Sequence, residues 1–252
     1  MRRTLYALYS NRGGCCRKNE ACSGYLLSQD GFHLLLDCGS GVLSTLQNLI
    51  DLKDLDHILI SHYHYDHYSD FGSAIYGRLI QTQLGQTSKP LHFYGLRDEQ
   101  VFPQLTWAPF SEATAIKAHS ELQIGPFHCT FLQTRHPIEC LAIKVECQGQ
   151  CLVYTADTAY FDELAEFCRN ADLLISECSL YAPRSGQQAG HLNGEEAGLL
   201  AQRAQVSALL LSHLPIYGEP ELLVQQARSV YSGKLILASK LLSVELDPQE
   251  EI

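Results

Sequence analysis

The run Ser61-His62-Tyr63-His64-Tyr65-Asp66-His67 sets three imidazoles and a carboxylate in the spacing HxHxDH. Histidine nitrogens and carboxylate oxygens are the donors that zinc and similar borderline divalent ions favour. One histidine alone is more often a hydrogen-bonded core or surface residue, but four donors at this spacing reverse that reading. The apolar residues 57–60 read as a short strand that delivers the chain into Ser61-His62. A loop at a strand end can point alternate side chains at two adjacent ions, so the fold has to bring further donors to the same edge.

Three other apolar stretches end in a donor. Residues 127–134 run into Arg135-His136-Pro137, residues 152–155 into Ala156-Asp157-Thr158, and residues 208–212 into His213-Leu214-Pro215. Taken singly, His136 and His213 read equally as loop residues, and Asp157 as the N-cap of a helical segment ending at Cys168. Together with the HxHxDH loop they complete a dinuclear donor set.

Strand-like segments also occupy residues 5–9, 24–27, 33–37, 91–94, 140–147, 172–176 and 234–237. Helical spacing covers 42–50, 71–84, 99–105, 161–168, 195–205 and 221–230, while the Pro-, Gly- and Thr-bearing stretch around 103–115 reads as loop. Strand clusters with interspersed helices in both halves imply two packed sheets with helices outside, an α/β architecture. Periodicity alone does not separate this from another layered arrangement. No long linker divides the chain, and one domain over residues 1–252 is expected.

With these motifs assembled, the chain resembles the metallo-β-lactamase superfamily, and within it the ribonuclease Z-like and related phosphodiesterase branches. The resemblance runs from the Asp37-Cys38-Gly39 turn through the HxHxDH loop to the ordered His136, Asp157 and His213. It implies a four-layered αββα sandwich with the site at one edge between the sheets. It also implies that His62, His64 and His136 hold one metal, that Asp66, His67 and His213 hold a second, and that Asp157 bridges both. The stretch Gly190-His191-Leu192-Asn193-Gly194-Glu195-Glu196-Ala197 looks like that branch's histidine-plus-helix motif. There the histidine serves phosphate binding and leaving-group protonation, which makes His191 a catalytic candidate. The plain alternative is a loop histidine ahead of a helix capped by Asn193, with Glu195 and Glu196 near its positive end. Asn193 stands where the family usually starts this helix with threonine, and the capping chemistry is kept.

Two divalent ions can acidify a water and neutralise charge on attacked and leaving oxygens. Zinc is the expected metal for mixed His and Asp donors, with manganese or iron as alternatives. The same centre can act on lactams, thioesters, lactones or phosphodiesters, and the fold does not choose among them. The His191 motif points to phosphorus, with Asp66 as the second catalytic candidate, able to orient or accept a proton from the nucleophile. Only 20 residues separate His136 from Asp157, and they read as two strands and a short turn. That leaves no room for the long tRNA-gripping insertion that ribonuclease Z proteins carry here.

A formal charge of −10 likewise disfavours a broad grip on a nucleic-acid backbone. The expected substrate is therefore a small phosphodiester, such as a cyclic nucleotide or short oligonucleotide. A thioesterase or lactonase of the same fold, and a noncatalytic metal-bound sensor, are the alternatives. No apolar run reaches the roughly 18 to 20 residues that span a bilayer, and no signal peptide is apparent, so a cytoplasmic protein without membrane contact is expected. Homodimerisation is left open by the sequence. The ten cysteines are too sparse for a disulfide scaffold. Cys15, Cys16 and Cys22 in a Gly-rich loop are at most a minor metal-site candidate, and Cys147 and Cys151 flank a hairpin turn across which they could face each other.

Overall fold

A computed structural model describes Cys15 and residues 18–246. The expected strand at 5–9 and the Cys16 member of the cysteine cluster lie outside those residues. The first sheet contains β1 (Tyr25–Gln29), β2 (Phe32–Leu36), β3 (His57–Leu59), β4 (Leu91–Leu96) and β5 (Ser111–Ile116), in that spatial order. The first pair is antiparallel and the others are parallel. The second sheet holds β6 (Glu121–Ile124), β7 (Phe127–Gln133), β8 (Leu141–Cys147), β9 (Gln150–Tyr154), β10 (Leu173–Glu177), β11 (Ala208–Ser212) and β12 (Lys234–Leu237). Its order is β12-β11-β10-β9-β8-β7-β6, parallel from β12 to β9 and antiparallel beyond.

The helices are α1 (Val42–Leu46), the single turn α2 (Tyr65–Tyr68), α3 (Phe71–Gln83), α4 (Asp162–Phe167), α5 (Gly194–Ala204) and α6 (Pro220–Arg228). Three apolar clusters separate four layers. Between the sheets, Leu34, Leu36 and Leu59 meet Phe127, Phe131, Ile143, Ile175 and Leu210. Outside the first sheet, Leu35, Ile58 and Phe93 pack with Leu46, Ala74 and Ile75. Outside the second, Val153, Leu174, Leu209 and Leu211 pack with Leu164, Leu200 and Leu223 of the other helices. The runs Leu34-Leu35-Leu36 and Leu209-Leu210-Leu211 are unbroken because both faces of these strands are buried, and successive side chains enter different layers. Each such leucine contributes about 1.5 to 3 kcal/mol of burial free energy. The architecture is the expected αββα sandwich.

The turn at Gln148-Gly149 joins β8 to β9 with both residues at positive φ, 52° and 80°. Such two-residue turns match the right-handed twist of the strands they join. Cys147 pairs across it with Gln150 and Cys151 with Glu146, so the two thiols point to opposite faces and do not confront each other.

Some elements differ from expectation. Residues 111–116, read as loop, form the edge strand β5, and β6 was not anticipated. Their exposed, charged positions lack a continuous apolar face, and pairing with neighbouring strands supplies their order. Residues 99–105 shorten to a 3₁₀ turn at Phe102–Leu105, while Asp98 Oδ1 accepts the amides of Gln100, Val101 and Phe102. Asp157 caps no helix, since α4 begins after Phe161. Among the described residues no helix is long and apolar enough to cross a membrane.

Candidate metal centre

Parallel strands carry their C-terminal ends to one edge, and that edge collects the donors. β2 leads into Asp37, β3 into His62, β7 into His136 and β9 into Asp157, β10 ends in Glu177 and β11 leads into His213. Asp37, Ala156 and His213 adopt positive φ of 58°, 49° and 48°. These left-handed turns at three strand ends re-aim the chain across the edge, a backbone cost tolerated where the surrounding packing fixes it. His64 is still extended, at φ −77° and ψ 141°, and α2 then turns Asp66 and His67 back towards the same point. The Asp37-Cys38-Gly39 turn clamps this loop: Cys38 N–H donates to His67 O at 2.7 Å, and a Cβ on Gly39 would lie 2.0 Å from Asp66 O. Only glycine permits that approach.

All seven expected donors come together. His64 Nδ1 lies 3.2 Å from His62 Nε2 and 3.0 Å from His136 Nε2. His213 Nε2 lies 3.2 Å from His67 Nε2 and 3.1 Å from Asp66 Oδ2. Asp157 stands between the groups, with Oδ2 at 3.8 and 3.9 Å from His62 and His136, and Oδ1 at 3.4 and 3.3 Å from His67 and His213. Donors about 2.0 to 2.1 Å from one tetrahedral ion lie roughly 3.3 to 3.4 Å apart, close to these separations.

The tautomers support the same fit. Ser61 Oγ donates to Asp37, so it accepts from His62 Nδ1 at 3.0 Å. His67 Nδ1 donates to Asp37 at 2.7 Å, and His136 Nδ1 donates to the Gly190 carbonyl at 3.0 Å. Ser179 Oγ donates to Glu177, so it accepts from His213 Nδ1 at 2.7 Å. In these four rings the proton sits on Nδ1, which leaves the Nε2 lone pairs facing one another. Asp157 Oδ1 is buried without a hydrogen-bond partner among the described residues. Converging lone pairs and an orphaned carboxylate oxygen are the requirements of divalent cations.

Electrostatics divide the groups. Burial keeps His62, His64 and His136 below the ordinary imidazole pKa, hence neutral. For His67 and His213 burial is outweighed by the carboxylates of Asp157, Asp37 and Asp66, which raise both imidazoles, and the same pairing, against burial, holds Asp66 and Asp157 well below the carboxylate range; the Nε2 proton of each ring is the one a bound cation would displace.

His191 stands beside the cluster, its ring 5.3 Å from that of His136 and 5.8 Å from that of His213. Burial disfavours its charged form, yet the hydrogen bond from Nδ1 to Glu177 at 2.9 Å and the nearby carboxylates push its pKa up to about 9. The plain alternative is also realised, since Asn193 and Glu196 form a reciprocal capping box on α5.

Asp37 and Glu177 had no assigned role in the sequence reading. Asp37 collects Ser61, His67 and Tyr154, while Glu177 collects Thr158, Ser179 and His191. The available signal was an acid directly after each of the apolar runs Leu34-Leu35-Leu36 and Leu173-Leu174-Ile175-Ser176.

Residues 33–214 match the model of the Beta-lactamase superfamily domain. The chain belongs to the metallo-β-lactamase superfamily. Within this superfamily, it is 40% identical over 227 residues to "Probable metallo-hydrolase YhfI" of Bacillus subtilis (strain 168), covering 90% of this chain and 93% of that one. The crystal structure of YhfI superposes with a TM-score of 0.93 at 39% identity, over 95% and 98% of the two chains. Ribonuclease Z of Sulfolobus acidocaldarius is 24% identical over 87% of this chain and 91% of its own. A diphosphatase from the PhnP family shares the superfamily fold at a TM-score of 0.72 and 16% identity, over 97% of both chains.

Proposed function

We propose that this protein is a dinuclear metal-dependent phosphodiesterase acting on a small phosphodiester such as a cyclic nucleotide or short oligonucleotide. The observation that carries the reading is His191, oriented by buried Glu177 and set beside two donor groups between which Asp157 divides its oxygens. When bound, divalent ions supply Lewis acidity and an acidified water. His62, His64 and His136 would hold one, Asp66, His67 and His213 the other, and Asp157 both; zinc suits these donors, and manganese or iron are alternatives.

The chain's own groups have separable tasks. Asp66 is placed to orient the attacking water or accept its proton. His191 supplies a proton donor for the leaving oxygen on the side of His213, and Glu177 fixes its ring orientation. Asp37 and Ser179 hold the donor imidazoles in one tautomer. A relative named as a metallo-hydrolase supports hydrolysis, and those named as a ribonuclease and a diphosphatase support phosphorus as the atom attacked. The two-residue turn between β8 and β9, where a tRNA-gripping insertion would stand, supports a small substrate.

Hydrolysis of bis(p-nitrophenyl) phosphate by protein of known metal content tests the reading, beside a chelated sample and thioester and lactone substrates. Metal-dependent phosphodiester cleavage is expected. Activity confined to the thioester or lactone would move the protein to another branch, and full metal loading without any hydrolysis would make it a sensor.

A further inference from the structure

Two cavities flank the donor cluster, each opening onto a different donor group. One, of about 400 Å³, reaches His213 and His191 and is walled by Leu180, Ile216 and Tyr217, with Arg184 among its lining residues. The other, of about 340 Å³, reaches His64 and is walled by Tyr63, Tyr65, Tyr68 and Ile138. Each lies within the size range of a small-ligand site, roughly 300 to 1,000 Å³.

The His64 side is walled by three tyrosines and the His213 side by aliphatic residues and one tyrosine, and each side carries a solvent-exposed ring. Tyr65 is 77% exposed and Tyr217 50% exposed. Tyr65 stacks on Tyr68 with ring centroids 5.6 Å apart and planes at 21°, and Tyr68 stacks in turn on Phe71 at 5.5 Å and 27°. This ladder orients the Tyr65 ring while the ring itself stays exposed. An exposed, pre-oriented ring beside a phosphate-cleaving site is a stacking platform for a planar group. Across the cluster, the exposed residue Arg184 lines the same cavity as His191 and brings a cationic side chain to it. On the Tyr65 side, the Asp98 carboxylate is already engaged by backbone amides.

Resting on the phosphodiesterase reading, we propose that the substrate is a linear dinucleotide that straddles the centre. One base stacks on Tyr65; the other nucleoside lies along Tyr217, its terminal phosphate at Arg184, and leaves from the His191 side. A cyclic mononucleotide has one base and a phosphate fused to its own sugar, so it fills one cavity and leaves the other unused. Water adds to phosphorus, the P–O bond to the leaving nucleoside breaks, and that oxygen takes the proton from His191.

The test compares kcat/KM of metal-loaded protein for 5′-phosphorylated diadenosine monophosphate, its unphosphorylated counterpart, 3′,5′-cyclic AMP and bis(p-nitrophenyl) phosphate. The phosphorylated dinucleotide should exceed cyclic AMP at least tenfold. Tyr65→Ala should lower kcat/KM for the dinucleotides about tenfold more than for bis(p-nitrophenyl) phosphate, chiefly through KM, and Tyr65→Phe should restore it. Arg184→Ala should abolish the preference for the terminal phosphate. Cyclic AMP turned over as well as the dinucleotides, or both variants affecting every substrate equally, would overturn the straddling arrangement while sparing the phosphodiesterase reading. Failure to cleave any phosphodiester would remove both.

Discussion

Asp157 divides its two carboxylate oxygens between the donor groups, so its removal differs in kind from removal of a side chain beside the cluster. Asp157→Ala is expected to lose the metal pair and turnover together, measured by elemental analysis and by hydrolysis of bis(p-nitrophenyl) phosphate. Two metals and normal turnover in this variant would reject the bridge. His191→Ala should keep its metal and slow the chemical step by about 10² to 10⁴, the usual worth of a positioned proton donor. Metal loss there would make His191 a ligand or structural support. Asp37 touches no ion in this arrangement, yet it sets the tautomer of His67 directly and that of His62 through Ser61. Asp37→Asn should therefore weaken metal affinity about 10- to 100-fold, read by competition with a chromophoric chelator.

At the scale of elements, acid also acts on the end of the first sheet remote from the donor cluster. The donor cluster gathers beyond the C-terminal ends of its strands, whereas His33 of β2 and His57 of β3 lie near the opposite ends. Burial lowers both pKa values from the ordinary 6.5, against the opposing pull of Asp56 and, for His33, Asp54. A lowered native pKa means the unfolded chain binds more protons, so stability is greatest above pH 6.5 and falls as pH drops through the lowered native values. Urea unfolding of chelated protein should thus give a lower midpoint at pH 5 than at pH 7.5. His57→Gln should flatten that dependence, and an unchanged slope would assign it elsewhere.

For the molecule as a whole, donors drawn from strand ends in both sheets would make a bound metal a tie across the central core. Because the unfolded chain cannot assemble that set, ions at about 100 times their Kd should add about 2.7 kcal/mol of stability. Calorimetry should show Tm falling on chelation and returning on metal addition; equal Tm values would mean the cluster holds no ion. The HxHxDH spacing, the later His136, Asp157 and His213, and the apolar runs of strands buried on both faces were all legible in the chain. These signals are local, carried by residue type and short-range period. Asp37 and Glu177 were invisible as organisers because a carboxylate's partners are set by strand ends far away in sequence. β5 and β6 were hidden because pairing rather than composition orders them. Sequence alone determined the layered class and the donor types. Only the tertiary structure decided which oxygen of Asp157 faces which group, which ring nitrogens keep their lone pairs, and that cavities flank both sides. Those are relations between segments remote in the chain, fixed when the two sheets pack.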